Sequence, residues 1–369
     1  MTGLIDSDAC IDSVLVWSHR ASRRSTWAMV EVVAGGVRGV GELSDGAALD
    51  TLLAAARSMR SEVVGRPLTQ ARTVLRRRLR GLRAAGTEPD AFLWSTVLGG
   101  YESALADVVA RLEGRALSTS LGLGEPAPVR LYANLNRRFG ADGADTIVAE
   151  AIRAAGNGFT AVKVAPFLDS HSSGLSGSRL IDAGLSLVGR VRDAIPREVD
   201  LMVDCHYLVP PQLLHDVVRE LAPLGLYWIE DLVRVGDRSA MDLAAAGGVA
   251  LAAGEHIWSP EIAAAACADG ALRYWLVDPK HAGGPAGVAR IAEAIGDAQL
   301  TFHNPSGPVG TAHAAHLAGL ARRTTWLEYA WGEVDRAALL EPAEVVVDGV
   351  LKPSGPGIGG RTRTGRSNS

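Results

Sequence analysis

The sequence predicts an α/β fold in which an α+β section leads into a parallel barrel of eight strands. Three observations carry that expectation. From residue 129 onward, short apolar runs alternate with segments of helical spacing. Strands alternating with helices form parallel βαβ units, and eight of them close a barrel. The polar residues ending these runs also keep a rhythm. Asp204, Glu230, Glu255, Asp278, His303 and Glu328 follow one another at 26, 25, 23, 25 and 25 residues, the period of one βα unit. Finally, the texture before residue 129 is different, with alternating strands and a Gly-Gly turn followed by Ala- and Leu-rich helical stretches.

Taken in order, residues 12–42 read as an antiparallel strand pair, because "TWAMVEVVAGGVRGVGE" alternates and turns at Gly35-Gly36. The preceding "WSHRASRRS" is polar and basic and reads as a loop. Residues 49–84 and 99–114 carry helical spacing. The eight runs are "VRLYAN" (129–134), "FTAVKVAPF" (159–167), "VDLMVD" (199–204), "LYWIED" (226–231), "VALAAGE" (249–255), "RYWLVD" (273–278), "AQLTFH" (298–303) and "TTWLEY" (324–329). This divides the chain into an α+β section (1–128), a barrel (129–330) and a C-terminal segment (331–369). The tail from about 359, "GGRTRTGRSNS", lacks an apolar pattern and reads as disordered.

Over 369 residues, 47% hydrophobic and 21% charged content are those of a soluble globular protein. A net charge of −4 argues against nucleic acid as the main partner. No apolar run is long enough to span a bilayer, and "MTGLIDSDAC" lacks the features of a signal peptide. Cys10, Cys205 and Cys267 are odd in number and widely spaced, so neither a disulfide framework nor a zinc site is indicated. A cytoplasmic protein with reduced thiols is expected. Of 37 Lys and Arg residues only Lys163, Lys280 and Lys352 are lysine, so a lysine here is not surface filler.

In a parallel barrel all strand C-termini face one mouth. A single acid after a strand commonly caps the next helix, but polar residues at six exits in register outweigh that reading. Asp204, Glu230 and Glu255 leave consecutive strands, and converging carboxylates repel unless a cation lies among them. An all-oxygen donor set with room for substrate favours Mg²⁺, with Mn²⁺ able to substitute. Asp278 beside His303 would orient the imidazole and raise its basicity, as a general base requires. In "LMVDCHYLVP", Asp204 and His206 stand two apart at a strand exit, and an extended chain would aim both the same way.

"VRGVGE", "YESALADVVARLEGRAL", "GFTAVKVAPF", "VDCH", "WIED", "GEH", "VDPKHAGG", "FHNPSGP", "WLEY" and "PSGPGIG" together resemble the enolase superfamily, in its mandelate racemase-like subgroup. The resemblance implies a modified (β/α)7β barrel, capped by the N-terminal section and the C-terminal segment. It also implies Mg²⁺ on Asp204, Glu230 and Glu255, an Asp278–His303 base dyad, and Glu328 hydrogen-bonded to the substrate carboxylate. A homo-oligomer acting on a small-molecule carboxylate is expected on the same ground. Racemases of the subgroup carry a KxK pattern on the second strand, whereas here Lys163 is followed by Val164 and Ala165. Alanine moves no proton, so two-base racemisation is disfavoured. The DxH of Asp204 and His206 resembles acid-sugar dehydratases, in which the histidine protonates a leaving hydroxyl.

The expected function is therefore an acid-sugar dehydratase, with Lys163 helping to stabilise an ene-diolate. Expected substrate contacts are Asn134, Asn136, Lys280 and His281. His19, Arg20, Arg23 and Arg24 join them, from a loop that in this superfamily closes over the barrel. His256 is expected to point away, and His313 and His316 not to be ligands. An epimerase or cyclising lyase would use the same intermediate. A metal-dependent barrel hydrolase usually wants HxH on the first strand, and "LYANLN" has none. A binding protein without catalysis is disfavoured by the complete ring.

Overall fold

The computed structural model describes all residues except 1–7, 24, 46, 86–87, 137–142, 169–173, 269, 323–325, 333 and 364–369. Strands β1 (Ile11–Arg20), β2 (Thr26–Ala34) and β3 (Val37–Glu42) form an antiparallel sheet in that order. Gly35 and Gly36 make the β2–β3 turn with φ of 57° and 74°, the left-handed region glycine enters without strain. The expected strand pair is thus a three-stranded sheet, and Trp17–Arg20 of the expected loop belong to β1, with His19 opposite Trp27 and Arg20 opposite Thr26. Polarity misleads here because β1 buries Val14 and Val16 in its first half, while Ser18 and Arg20, further along the same face, are exposed and still paired with β2. What remains as a turn is residues 21–25, and Arg24 lies outside the described residues.

Helices α1 (Leu49–Ser58), α2 (Leu68–Ala85) and α3 (Glu88–Leu112) cover this sheet with a core that includes Val30, Val32, Leu52, Leu75, Tyr101 and Leu105. Helix α3 starts at Glu88, well before the expected 99, because its Gly99-Gly100 pair is not a breaker. A Cβ on Gly99 would lie 2.1 Å from the Lys280 carbonyl oxygen, and one on Gly100 2.1 Å from Leu43 Cδ2. Each glycine costs about 1 kcal/mol of helix propensity and permits that close packing.

The barrel strands are β4 (Val129–Asn134), β5 (Ala161–Val164), β6 (Asp200–Asp204), β7 (Trp228–Glu230), β8 (Leu251–Ala253), β9 (Leu272–Val277), β10 (Gln299–Phe302) and β11 (Trp326–Ala330). Each pairs in parallel with the next, and β11 pairs with β4 to close the ring. Between them run α4 (Gly143–Gly156), α5 (Gly177–Ala194), α6 (Leu214–Leu221), α7 (Arg238–Ala246), α8 (Pro260–Ala268), α9 (Pro285–Ile295) and α10 (Pro308–Leu317). Seven βα units and a final strand match the expected (β/α)7β order. Tyr132, Met202, Trp228, Tyr274, Leu276 and Trp326 pack inside as an apolar plug. Side chains alternate along a strand, so the residues two positions further on, Asn134, Asp204, Glu230, Asp278 and Glu328, form a polar ring above that plug. The strand register therefore sets the height of the ring.

Beyond β11 the chain returns to the N-terminal section. Leu117 N–H donates to Gly357 O at 2.8 Å, Ile358 N–H to Asp107 Oδ1 at 2.9 Å, and Thr362 Oγ1 lies 3.1 Å from Glu31 Oε2. Of the tail expected to be disordered from about 359, Arg361–Thr362 pair with Leu340–Glu341, and residues 364–369 lie outside the described residues. Backbone pairing needs no apolar pattern, which is why composition misses it. Among the described residues no helix is long and apolar enough to cross a membrane.

Candidate active site

The polar ring opens into a cavity of about 320 Å³. Lys163 rises from β5 at its centre, 1% exposed, with Nζ 2.8 and 2.9 Å from the Glu230 oxygens, 3.0 Å from Glu328 Oε1 and 3.6 Å from Asp204 Oδ2. Burial alone would lower its pKa, but Glu230 and Glu328 raise it well above the ordinary lysine value. Burial pushes Glu230 up to about 8 against the pull of Lys163, with Asp204 and Glu328 adding to the rise. Trp228 Nε1 donates to Glu230 Oε2 at 3.2 Å, so one strand supplies both the acid and a hydrogen-bond donor to it.

On the opposite wall His303 leaves β10. Its Nδ1 lies 2.9 Å from Asp278 Oδ2, while its Nε2 lies 2.7 Å from Glu255 Oε2 and 3.5 Å from Glu328 Oε2. Burial opposes the charged imidazole, but Glu328 and Glu255 hold its pKa well above the ordinary value. Burial would raise Glu255 too, and the His303 imidazole outweighs it and holds the carboxyl below its usual range. The expected dyad is thus assembled, with Glu255 as a further partner of the imidazole.

His206 meets Asp204 by a different route from the one expected. Strand β6 ends at Asp204, and both His206 (φ 46°) and Tyr207 (φ 56°) are left-handed. The chain folds back, so His206 Nδ1 lies 3.0 Å from Asp204 Oδ1 instead of running parallel to it. Burial lowers the His206 pKa, but the adjacent Asp204 more than reverses this and brings it to about 9. Asn134 donates through Nδ2 to Glu328 Oε1, and Asn136 through Nδ2 to Asp204 Oδ2 at 3.2 Å. Both asparagines line the cavity.

Other expected contacts fall differently. His281 lines the cavity, with Nδ1 2.9 Å from Thr96 Oγ1 and its ring 4.6 Å from that of Phe92. Lys280 is 3% exposed, turns away from the cavity and bonds Asp278 and Asn304. His19, Arg20 and Arg23 are not on the cavity either, because β1 carries the first two along the sheet and the turn beyond it is short. His256, expected to point away, lines the cavity, with Nδ1 3.2 Å from Glu255 Oε1. His313 Nε2 lies 2.8 Å from Val40 O and His316 Nδ1 3.4 Å from Ser118 Oγ, so both face the N-terminal section.

Leu168 and Pro305 also line the cavity, and three further residues with polar or aromatic side chains escaped the sequence reading. Asp45, after β3, and Phe92, on α3, reach the cavity from the N-terminal section. Among the described residues that section thus presents an acid and an aromatic ring, and neither Arg20 nor Arg23. Asp231, directly after Glu230, is 2% exposed, and its Oδ1 has no hydrogen-bond partner. Burial and the charges of Glu255 and Asp204 push its carboxyl well above the usual range. Among the described residues, ligand atoms of Asp231, Glu255 and His256 come within 4.8 Å of one another. Its position beside the expected ligand Glu230 was the available signal. Lys163 Nζ already stands on Glu230 and Asp204, and it is the orphaned Asp231 Oδ1 beside Glu255 that fits a hard divalent cation at this edge of the ring.

Comparison with known proteins bears on this geometry. Residues 146–364 match the family model described as Enolase C-terminal domain-like. A D-gluconate dehydratase of Thermoproteus tenax is 28% identical over 280 residues, 73% of this chain and 55% of that protein. A D-galactonate dehydratase of Pectobacterium atrosepticum is 31% identical over 162 residues, 43% of this chain and 42% of that protein. The chain thus spans about half the length of these curated relatives. The crystal structure of a mandelate racemase/muconate lactonizing enzyme-like protein from Rubrobacter xylanophilus superposes with a TM-score of 0.82 at 24% identity, covering 96% of both chains. That of the 3,6-anhydro-D-galactonate cycloisomerase from Zobellia galactanivorans does so with 0.81 at 18%, covering 96% of this chain and 97% of the other. At such identities the two structures speak to the fold alone.

Proposed function

The chain belongs to the Enolase C-terminal domain-like family, and on that premise we propose that it is a Mg²⁺-dependent acid-sugar dehydratase, removing water from a polyhydroxy carboxylate to give a 2-keto-3-deoxy acid. The observation that carries the reading is a pairing. His206 and His303 line one cavity, each against its own carboxylate, while position 165 on β5's exit is a buried alanine. One base and one acid suit elimination, and a second base for the other substrate face is missing where racemases of the subgroup keep it.

In this proposal Asp204, Glu230 and Glu255 hold the Mg²⁺, which when bound supplies positive charge to the substrate's carboxylate. His303, with Nδ1–H directed to Asp278, would be neutral at Nε2 once Glu255, which now faces that nitrogen at 2.7 Å, is engaged by the cation. It then takes the α-proton on Nε2. Negative charge then grows on the carboxylate oxygens, and the buried Lys163 ammonium stabilises it within the low-dielectric ring. Glu328, fixed by Asn134 Nδ2 and by Asn304 N–H at 3.0 Å, faces the substrate's carboxyl end, where a proton shared between the two carboxyl groups would join them. His206 gives a proton to the 3-hydroxyl, the C–O bond breaks, water leaves and the enol tautomerises. Phe92 and His281 line the cavity with their rings in contact.

The test is a library of mono- and diacid sugars incubated with protein and Mg²⁺, with semicarbazide trapping 2-keto products and EDTA as control. An EDTA-sensitive product supports dehydration and names the substrate. Exchange of the α-proton into D₂O with no 2-keto product would replace this reading by epimerisation or cyclisation.

A further inference from the structure

We propose that Lys280 is a positioning residue for the base His303, bridging Asp278 to Asn304, and makes no contact with substrate. The inference rests on His303 being the base, as proposed above. Lys280 is one of three lysines in the chain, and its buried ammonium is out of the cavity. Its backbone N–H donates to Asp278 Oδ1 at 2.8 Å and its Nζ to Asp278 Oδ2, also at 2.8 Å. That same Oδ2 lies 2.9 Å from His303 Nδ1. One residue therefore engages both carboxylate oxygens and denies Asp278 the rotation that would release the imidazole.

The other end of the bridge is equally fixed. Lys280 Nζ donates to Asn304 Oδ1 at 2.7 Å, and Asn304 directly follows His303. Asn304 is fully buried, gives its N–H to Glu328 Oε2 at 3.0 Å and its Nδ2 to Thr311 Oγ1 at 2.8 Å. Lys280 thereby ties the exit of β9 to the exit of β10 on the side of the dyad away from substrate. Behind it, Gly99 of α3 packs so closely on the Lys280 carbonyl that a Cβ would lie 2.1 Å away, which leaves the loop little room to retreat. A single buried cation shared between an Asp and an Asn sets where the imidazole points.

The test compares Lys280→Met, which keeps the length and loses the donors, with Lys280→Gln, which keeps a neutral donor. On the acid found by the screen, kcat of K280M should fall about 100-fold, the scale of a misplaced catalytic group. KM should stay within about threefold, and K280Q should recover roughly tenfold of the loss. A rise in KM at unchanged kcat would make Lys280 a substrate ligand and overturn the proposal, as would no change in either. A second readout needs no substrate. The low-field proton of His303 Nδ1–H, assigned by its absence in His303→Asn, should broaden or vanish in K280M, and its persistence unchanged would refute the bridge. Should K280M fail to fold, K280Q carries both readouts. If no acid sugar reacts but the resonance responds, the dehydratase reading fails while the bridge stands.

Discussion

Glu42, the last residue of β3, offers the sharpest test of how the N-terminal section is joined to the barrel. It is 2% exposed, and both its oxygens face the loop that follows His303. Oε1 accepts from Gly307 N–H at 2.7 Å and from Ser44 Oγ at 2.7 Å, and Oε2 accepts from Gly310 N–H at 2.8 Å. The carboxylate thus caps the first turn of α10 from another part of the chain, a site where negative charge is favoured. Glu42→Ala would leave two buried N–H groups without partners, at about 1–3 kcal/mol each. It would also remove a charge worth up to ~2 kcal/mol at a helix start. The expected loss is on the order of 4 kcal/mol, a large share of the ~5–15 kcal/mol typical of a folded protein. Glu42→Gln keeps one acceptor but turns an NH₂ toward one of the two donors, so about half that loss is expected. Thermal unfolding at fixed scan rate and pH 7 should rank wild type above E42Q and E42Q above E42A, with roughly 5–10 °C between the extremes. An E42A protein melting within about a degree of wild type would show that these bonds contribute nothing net.

Three further outcomes are expected. His206→Asn should lower 2-keto product formation by about 10²–10⁴-fold, the usual worth of a general acid, while α-proton exchange into D₂O continues. Loss of both together would make His206 part of proton abstraction instead. His303→Asn should abolish exchange and product alike, and a variant retaining either at the wild-type rate would remove His303 as the base. The third concerns acid stability. Burial first, and for His316 the neighbouring His313 as well, lowers His281 and His316 to about 4, so both are neutral in the folded protein at pH 6. The unfolded chain binds their protons below about 6.5. Stability from these two groups is therefore full above that value and declines as pH falls toward 4, at most about 3 kcal/mol for each. His316→Gln should flatten the dependence of Tm on pH across this window, and an unchanged slope would count against a neutral buried His316.

Much of the barrel was legible because its physics is periodic. Alternation along each strand, repeated every 23 to 26 residues, is enough to put Asp204, Glu230, Asp278 and Glu328 at one height facing inward. Where geometry departs from ideal strands, the reading fails. The left-handed backbone at His206 and Tyr207 has no signature in "DCHYL", so the His206–Asp204 contact follows from a fold-back that alternation does not describe. Nor does local composition say what a distant segment brings to the cavity. Phe92 reaches it only because Gly99 lets α3 settle against the barrel loop, and Asp45 because β3 ends over the mouth. The arginines after β1 were the plausible choice by charge, but nine-residue pairing with β2 carries the strand end along the sheet instead. Lys280 shows the opposite error, a cation assigned to substrate that the fold spends on its own carboxylate.

The glycine seam of α3 has an evolutionary consequence. Gly99 abuts the Lys280 carbonyl and Gly100 abuts Leu43, so one helix turn is moulded at once to the sheet below and to a catalytic-face loop above. Grafting the N-terminal half of a relative onto this barrel, a natural route to new substrate selectivity, would fail by collision unless 278–284 travelled with it. A productive exchange would therefore have to carry both stretches together, although more than 170 residues of chain lie between them.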